Sequence, residues 1–227
     1  MPGSERAFRL VHQDPRFFVI DKCPGVSFHR QDEEPGLIEL ARAELGDMWP
    51  VHRLDRMTSG LMLLARSPDM ARQLSTALAE RRIDKRYLAL SDRKPAKKQG
   101  WVRGDMEKGR GGSWRLLASR DNPAVTHFHS VSLAPGLRVF FLKPLTGRTH
   151  QLRVALKSLG APIIGDERYH PAGGEPADRG YLHAWQLRFQ LEDEPFAFQC
   201  VPQEGTLFLR ADFRALIDAP AWRPDAW

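Results

Sequence analysis

Cysteine is scarce in this sequence: Cys23 and Cys200 are the only two among 227 residues, and they form no CxxC pair. A disulfide framework or a zinc site built on thiolates is therefore not expected, and the chain fits a reducing compartment. HExxH and zinc-ribbon spacings are also missing, so no metal is predicted. No stretch approaches the roughly 18 apolar residues of a membrane span, and the first residues lack the apolar segment of a signal peptide. A cytoplasmic protein is expected.

The composition is that of a soluble globular chain. Hydrophobic residues make up 42% and charged residues 27% of the sequence, far from the apolar-poor pattern of disorder. Lysine and arginine number 34 against 28 aspartates and glutamates, a net charge of +6. This balance is typical of a protein that meets a polyanion such as RNA, although many basic proteins bind no nucleic acid. The length suits one large domain, and a monomer is expected.

Short apolar segments outnumber helical patterns along the chain. Three segments have helical spacing and end signals: one near 37–45 closed by Gly46, one from Ser67 and Pro68 to Glu80, and one over 149–159 closed by Gly160. Because the strand segments do not alternate regularly with helices, we expect an α+β fold with a mixed, mostly antiparallel central sheet flanked by helices and loops. The strand candidates are 8–11, 17–20, 61–65, 87–90, 125–131, 137–142, 187–191 and 196–201.

Residues 92–123 differ from the rest in being polar and rich in lysine, arginine and glycine. We predict a loop-rich insertion with one strand around Trp101. Two interpretations stay open for it: an arm that faces RNA, or a solvated loop without a particular role.

The first segment with chemical content is HRLDRMTSGL at 52–61. Asp55 stands between Arg53 and Arg56 and is followed by small turn-forming residues and a buried strand. The positive neighbours favour the ionised carboxylate, which can then act as a nucleophile or a base at neutral pH. By itself, an aspartate between arginines is more often part of a surface ion pair.

The second segment is GRTHQLR at 147–153, which opens the predicted late helix. Arg148 and His150 near a helix N-terminus add positive potential and suit the binding of phosphate or carboxylate. Local sequence does not indicate whether this helix faces Asp55.

Four blocks occur in a specific order: HRLDRMTSGLMLLA, KRYLAL at 85–90, GRTHQLRVALKSLGAPIIGDERY at 147–169, and YLHA at 181–184. Together they resemble the motif set of the RluA-type pseudouridine synthases, within the RluA/RsuA superfamily. The resemblance spans about 9–202 and implies one pseudouridine synthase catalytic domain over 1–227, with 203–227 as a C-terminal extension. Since the pattern begins near Phe8, no N-terminal S4-like module is expected.

The resemblance also implies roles for individual residues. It makes Asp55 the nucleophile, places Tyr87 against a flipped uracil, and pairs Arg153 with the aspartate. Arg53 would enter the space that the flipped base leaves, and Leu152 would line the uracil pocket. The expected substrate-binding residues are His52, Arg53, Thr58, Leu152, Arg148 and His150.

The implied reaction is the isomerisation of a uridine in structured RNA, ribosomal or transfer RNA. It breaks the N1–C1′ bond, turns the uracil and joins C5 to C1′, so a carboxylate and a dry pocket suffice and no cofactor is expected. One departure is Ala155, where the family often has histidine. Two other functions remain open: a catalytically inactive RNA-binding protein of the same fold, and a basic nuclease or glycosidase with Asp55 as general base.

Other candidates receive structural interpretations. His127 and His129 share one face of a predicted strand, but no third ligand is marked, so a partly exposed structural pair is expected. The tryptophans could stack on bases. We nevertheless expect core or tail packing for Trp49, Trp185 and the terminal Trp222 and Trp227, and assign no tryptophan to the site.

Overall fold

The structure, a computed structural model, describes residues 6–171 and 176–220. This part of the chain contains twelve strands and four α-helices. The strands are β1 (Phe8–Gln13), β2 (Phe17–Lys22), β3 (Trp49–Pro50), β4 (Ser59–Ala65), β5 (Asp84–Ser91), β6 (Gln99–Gly104), β7 (Met106–Lys108), β8 (Trp114–Leu116), β9 (Ala124–Ala134), β10 (Leu137–Pro144), β11 (Leu182–Leu191) and β12 (Glu194–Gln199). The helices are α1 (Leu37–Leu45), α2 (Pro68–Ala79), α3 (Gln151–Ser158) and α4 (Ala211–Asp218).

Ten of these strands form one sheet, in which eight follow the order β1-β2-β4-β11-β5-β10-β9-β6. Strand β3 pairs with β4 and β12 pairs with β11, while β7 and β8 form a separate hairpin. Among the described strands, β11 and β4 pair in parallel, and the other pairs are antiparallel. The predicted α+β fold with a mixed, mostly antiparallel sheet is therefore confirmed.

Both faces of the central strands are covered, which explains why all seven residues of β4 are buried. On one face, Phe17, Val19, Leu61 and Leu63 pack with the buried stripe of α2. On the other face, the larger apolar cluster includes residues of α1, α3 and α4. A strand with two covered faces lacks the alternation of a half-exposed strand and reads as a continuous apolar run.

Gly60 allows β4 and β11 to approach at the centre of the sheet. Its φ is +107°, and a Cβ at this position would lie 2.3 Å from the carbonyl oxygen of Ala184. Only glycine fits so close to a neighbouring backbone with that φ. This contact fixes where β4 begins, and so it positions the loop at 51–58 that precedes the strand.

The 92–123 segment is more ordered than the sequence suggested. The predicted strand around Trp101 is β6, but two further strands, β7 and β8, follow it. The prediction of a loop-rich insertion with one strand is therefore wrong in this respect. The hairpin was missed because β7 and β8 are only three residues each, too short to show a pattern, with glycines at 109, 111 and 112 around the turn.

Two more elements differ from the prediction. Strand β11 begins at Leu182, whereas the sequence predicted a start near 187. The prediction was wrong because the buried polar side chains of His183 and Gln186 interrupt the apolar pattern of the strand. Helix α4 lies in the predicted C-terminal extension, and its Phe213 and Ile217 join the main core. Trp185 is a core residue, as expected. Trp222 and Trp227 lie outside the described residues.

Candidate active site

A cleft of about 520 Å³ opens between the 51–58 loop, the start of β5 and the segment that leads into α3. Six basic residues line it, namely Arg53, Arg81, Lys85, Lys143, Arg148 and Arg153, against the two acidic residues Asp55 and Asp84. All nine site residues predicted from the sequence also line this cleft: His52, Arg53, Asp55, Thr58, Tyr87, Arg148, His150, Leu152 and Arg153. The structure thus brings together segments that are about 100 residues apart.

Asp55 forms an ion pair with Arg153 of α3. The Nη1 of Arg153 donates to the Asp55 Oδ2 at 3.1 Å, and the side chain of Asp55 is 24% exposed. The two arginines beside Asp55 in sequence are used elsewhere: Arg53 donates to the Thr149 hydroxyl at 3.0 Å, and Arg56 donates to the carbonyl of Gly25 at 2.9 Å. The carboxylate of Asp55 is therefore paired with the distant Arg153. The expectation that Arg53 and Arg56 supply its positive neighbours needs this correction.

Arg153 is held from its other side by Asp166, which sequence reasoning did not single out. Its Nε and Nη2 donate to the two carboxylate oxygens of Asp166 at 2.7 and 2.8 Å. Asp166 is fully buried and also accepts the backbone N–H groups of Arg168 and Tyr169. Burial acts against the charged guanidinium, but the hydrogen bonds and charges of Asp166 and Asp55 raise the pKa of Arg153 overall. Arg153 is thus a permanent cation of fixed orientation.

The loop that carries Asp55 is anchored by Lys22, another residue that the sequence did not reveal. Lys22 is fully buried, and its Nζ donates to the carbonyls of Cys23, Arg56 and Thr58 at 2.9, 3.1 and 2.9 Å. Burial lowers the pKa of Lys22 to about 7, whereas three carbonyl acceptors favour the ammonium form. The backbone N–H of Thr58 also donates to the carbonyl of Asp55 at 3.0 Å. These bonds fix both ends of the turn.

His52 lies at the cleft, but one of its ring nitrogens is occupied by the backbone. The Nε2 accepts the N–H of Leu63 at 3.1 Å. Burial lowers the pKa of His52 to about 3, so the imidazole is neutral at pH 7. This nitrogen anchors the 51–58 loop to β4 and is not available to a ligand.

Tyr87 and Leu152 form the apolar side of the cleft, and both are buried. Tyr87 lies on β5 opposite Leu142 and Ala184. Burial and the nearby charge of Asp55 raise the pKa of the Tyr87 hydroxyl, which stays protonated. A flat apolar surface beside the Asp55 carboxyl group suits the binding of an uncharged planar ring.

His150 occupies the N-cap position of α3 in a left-handed conformation, with φ +57°. Its Nδ1 lies 2.9 Å from the hydroxyl of Tyr169, which in turn accepts the N–H of Trp114 at 2.8 Å. Burial lowers the pKa of His150. Arg148 is hydrogen-bonded to Asn122. Through these contacts the cleft rim is joined to the 92–123 segment.

The histidine pair on β9 is distinct from the cleft. The rings of His127 and His129 lie 5.2 Å apart, and each is partly exposed. Within residues 6–171 and 176–220, no group of three or more His, Cys, Asp or Glu side chains is placed to hold a metal ion.

No helix in the described part of the chain has the length and apolar character needed to cross a membrane.

Comparisons with known proteins agree with the motif order. The family model of RNA pseudouridylate synthase matches residues 16–158, more than half of the chain. An uncharacterised RNA pseudouridine synthase of Haemophilus influenzae is 48% identical over 203 residues, which cover 88% of this chain and 90% of that protein. The dual-specificity RNA pseudouridine synthase RluA of Pasteurella multocida is 32% identical over 222 residues, covering 88% and 96%.

A solved structure supports the same assignment. Human RNA pseudouridylate synthase domain containing 1 superposes with a TM-score of 0.73 at 27% sequence identity, covering 88% of this chain and 85% of that one. The likeness thus extends over most of both chains and includes the sheet that carries the cleft. On the family model, the relatives and the fold together, the chain belongs to the RluA-type family of RNA pseudouridine synthases, isomerases that convert uridine in RNA into pseudouridine.

Proposed function

We propose that Asp55 is the catalytic nucleophile and that the substrate is a specific uridine of structured ribosomal or transfer RNA. The observation that carries this proposal is the ion pair between Asp55 and Arg153, since Arg153 is itself held by the buried Asp166. A carboxylate that is hydrogen-bonded to a permanent cation keeps one orientation. The other face of the cleft, with Tyr87 and Leu152, offers the flat apolar surface that a uracil ring needs.

The proposed reaction is balanced within the nucleoside. Asp55 attacks C1′ and forms an O–C1′ bond as the N1–C1′ bond breaks; the uracil turns, and C5 bonds to C1′ as the O–C1′ bond breaks. The proton leaves C5, N1 gains a proton, and Asp55 is released unchanged. Arg153 screens the carboxylate through each step, while Tyr87, as a protonated phenol, keeps the ring in place. RNA length and mass remain the same.

Arg53 is proposed to replace the target base in its stack. The side chain is exposed at the cleft mouth, and its one hydrogen bond to the described residues is to Thr149, so it can leave this position at small cost. Extruding a base costs a few kcal/mol, and a guanidinium that stacks and donates hydrogen bonds offsets part of that cost. Arg148 and His150 at the rim are proposed to bind the flanking backbone.

The basic cleft and the relatives support the proposed substrate class. The Pasteurella multocida relative is named a dual-specificity RNA enzyme, which supports testing both ribosomal and transfer RNA. We place the enzyme in the cytoplasm with these substrates, as a single catalytic domain that acts as a monomer. No cofactor is needed for the proposed chemistry.

The test uses RNA from a strain that lacks this gene. The purified protein is added, and pseudouridines are mapped as reverse-transcription stops that depend on carbodiimide treatment. A new stop at a defined uridine, with unchanged RNA length, is the expected result. Shortened RNA or released uracil would instead indicate the nuclease or glycosidase reaction, and the absence of any new stop on both RNA classes would contradict the proposal.

A further inference from the structure

Trp101 is an exposed aromatic residue that the active-site cleft does not use. It lies on β6, at the edge of the sheet, and is 48% exposed. Its side chain shares the outer face of β6 with Arg103, whereas Val102 between them is buried. A half-exposed tryptophan on an edge strand leaves a flat aromatic face open to solvent, where it can stack on another ring.

The neighbours of Trp101 are aromatic and basic. The ring of His127 lies 4.5 Å from the Trp101 ring at an interplanar angle of 36°. The guanidinium carbon of Arg103 lies 4.8 Å from the centre of the Trp101 ring. Burial and the neighbouring positive charges lower the pKa of His127, so at neutral pH it supports the indole as an uncharged ring. An aromatic platform with cations beside it is the pattern that binds unpaired nucleotides.

The position of this platform relative to the cleft follows from the strand register. Trp101 pairs with His127, and His127 pairs with Lys143. Residues opposite each other on neighbouring strands project to the same side of the sheet. Lys143 lines the cleft, and two strand spacings put Trp101 about 10 Å from it. That span corresponds to roughly three nucleotides of a stacked strand. Tyr87 pairs with Leu142, the neighbour of Lys143, so Tyr87 projects to the other side of the sheet. The platform therefore adjoins the side of the cleft that Lys143 and Asp84 line.

The other end of the platform also adjoins the cleft. Arg103 pairs with Val125, and the backbone N–H of Val125 donates to the hydroxyl of Thr146, another lining residue. The guanidinium of Arg103 is exposed, and a cation–π contact is weak at such a site. A base can therefore replace it on the indole, which frees Arg103 for a phosphate.

We propose that Trp101, supported by His127 and flanked by Arg103, stacks on an unpaired nucleotide of the substrate RNA where the RNA passes the Lys143 side of the cleft. The surface binds RNA outside the cleft and so contributes to substrate selection, not to the chemical step. This inference rests on the proposed function for the identity of the RNA, but its binding test does not need catalysis.

The first test measures binding of a fluorescein-labelled, unstructured RNA decamer by anisotropy. Trp101→Ala should raise the Kd by roughly 5- to 100-fold, which corresponds to the loss of one base–aromatic stack. Trp101→Phe should retain most of the affinity. The matched control is Leu209→Ala, which removes another exposed apolar side chain, 53% exposed, from a different part of the molecule. A Kd for Trp101→Ala within twofold of the unmodified protein would overturn the proposal.

The second test separates stacking from charge. Trp101→Ala should leave the slope of log Kd against log salt unchanged, whereas Arg103→Gln should reduce it by about 0.7, the value for one phosphate contact on a single strand. With the mapped substrate RNA, Trp101→Ala should raise KM and leave kcat unchanged. A lower kcat with an unchanged KM would contradict the proposal. A change in the mass measured by sedimentation, with an unchanged Kd for RNA, would also contradict it, because the surface would then bind a second copy of the chain.

The decamer measurement also distinguishes the two proposals. If no RNA is modified but Trp101 still contributes to decamer binding, the proposed reaction is contradicted and the proposed RNA-binding role of Trp101 is supported. If pseudouridine is formed and Trp101→Ala changes neither Kd nor KM, the platform alone fails.

Discussion

The cleft cluster, formed by Asp55, Arg153, Asp166 and Lys22, and the outer arm, formed by residues 92–123, carry similar charged groups in opposite settings. In the cleft cluster, Arg153 is 9% exposed and has a carboxylate on each side. In the outer arm, the Arg115–Glu107 pair joins side chains that are 68% and 48% exposed. Buried charges lose much if one partner is removed, whereas exposed pairs contribute little to stability.

This difference suggests a division of tasks. The cleft cluster fixes the position and charge of the groups that react, because its bonds restrict each side chain to one orientation. The outer arm carries exposed charged and aromatic groups, which on the proposal above would contact RNA. Substitutions in the cleft cluster should therefore change kcat, and substitutions in the outer arm should change RNA affinity.

The largest effect is expected for Asp166→Asn. This substitution removes the buried anion that orients Arg153, and breaking a buried pair costs about 3–5 kcal/mol of stability. With Arg153 displaced, kcat should fall by at least about 100-fold, with a smaller change in KM. Single-turnover kinetics and thermal unfolding measure the two effects.

The matched control is Asp105→Asn in the outer arm. The Asp105 carboxylate also accepts two backbone N–H groups, those of Asp121 and Asn122, but no ion pair is recorded for it among the described residues. Its turnover should stay close to that of the unmodified protein. Equal losses in both variants would remove the proposed distinction between the two regions.

A second substitution, Lys22→Met, tests the anchor of the 51–58 loop. Met has nearly the same shape but leaves three carbonyls without the ammonium, so the turn that carries Asp55 loosens. We expect kcat to fall by about 10- to 100-fold, with KM nearly unchanged. Removing the ammonium relieves its burial cost but leaves buried carbonyls without a donor; the two effects oppose each other, so the melting temperature should change little.

A lysine with a purely structural role would lose activity and stability together, so a lower kcat without a lower melting temperature indicates a positioning role. Lys108→Met, at an exposed lysine of β7, is the control and should change neither quantity. Undiminished turnover of Lys22→Met would show that the three hydrogen bonds do not position Asp55.

A smaller effect concerns pH and the buried His183, whose Nδ1 lies 2.7 Å from the Ser59 hydroxyl and whose Nε2 lies 2.8 Å from the carbonyl of Cys200. Burial lowers the pKa of His183 to about 3, against about 6.5 in the unfolded chain. Between these values the unfolded chain binds more protons, so stability falls as the pH drops from 6.5 towards 3. At pH 4.5 the loss is about 2–3 kcal/mol.

Denaturant unfolding at pH 7 and pH 4.5 checks this prediction. His183→Gln should show a smaller acid-induced loss, because glutamine does not titrate. Identical pH dependence in the two proteins would contradict the assigned protonation state of His183.

Local sequence signals were sufficient for the elements with clear end signals. Helix α2 begins where Ser67 and Pro68 predicted, with the Ser67 hydroxyl accepting the N–H of Met70 at 3.1 Å. The nine proposed site residues also line one cleft, an arrangement that came from family motifs and not from local physics. Their catalytic and binding roles stay predictions.

The missed features share one physical property: they depend on contacts between distant segments. Lys22 occupies a strand position that reads as a surface lysine, and only the fold brings the carbonyls of Arg56 and Thr58 to its Nζ. Asp166 follows a turn and becomes important because α3 presents Arg153 to it. The start of β11 could not be predicted for the same reason, because buried polar residues such as His183 look like exposed residues in the sequence.

The most direct measurement of the central claim is the single-turnover release of tritium from RNA labelled at C5 of uridine, because joining C5 to C1′ expels that hydrogen. The unmodified protein should release tritium at the mapped uridine. Asp55→Asn should release none above background while it binds the same RNA with comparable affinity. Release by Asp55→Asn at the rate of the unmodified protein would contradict the account.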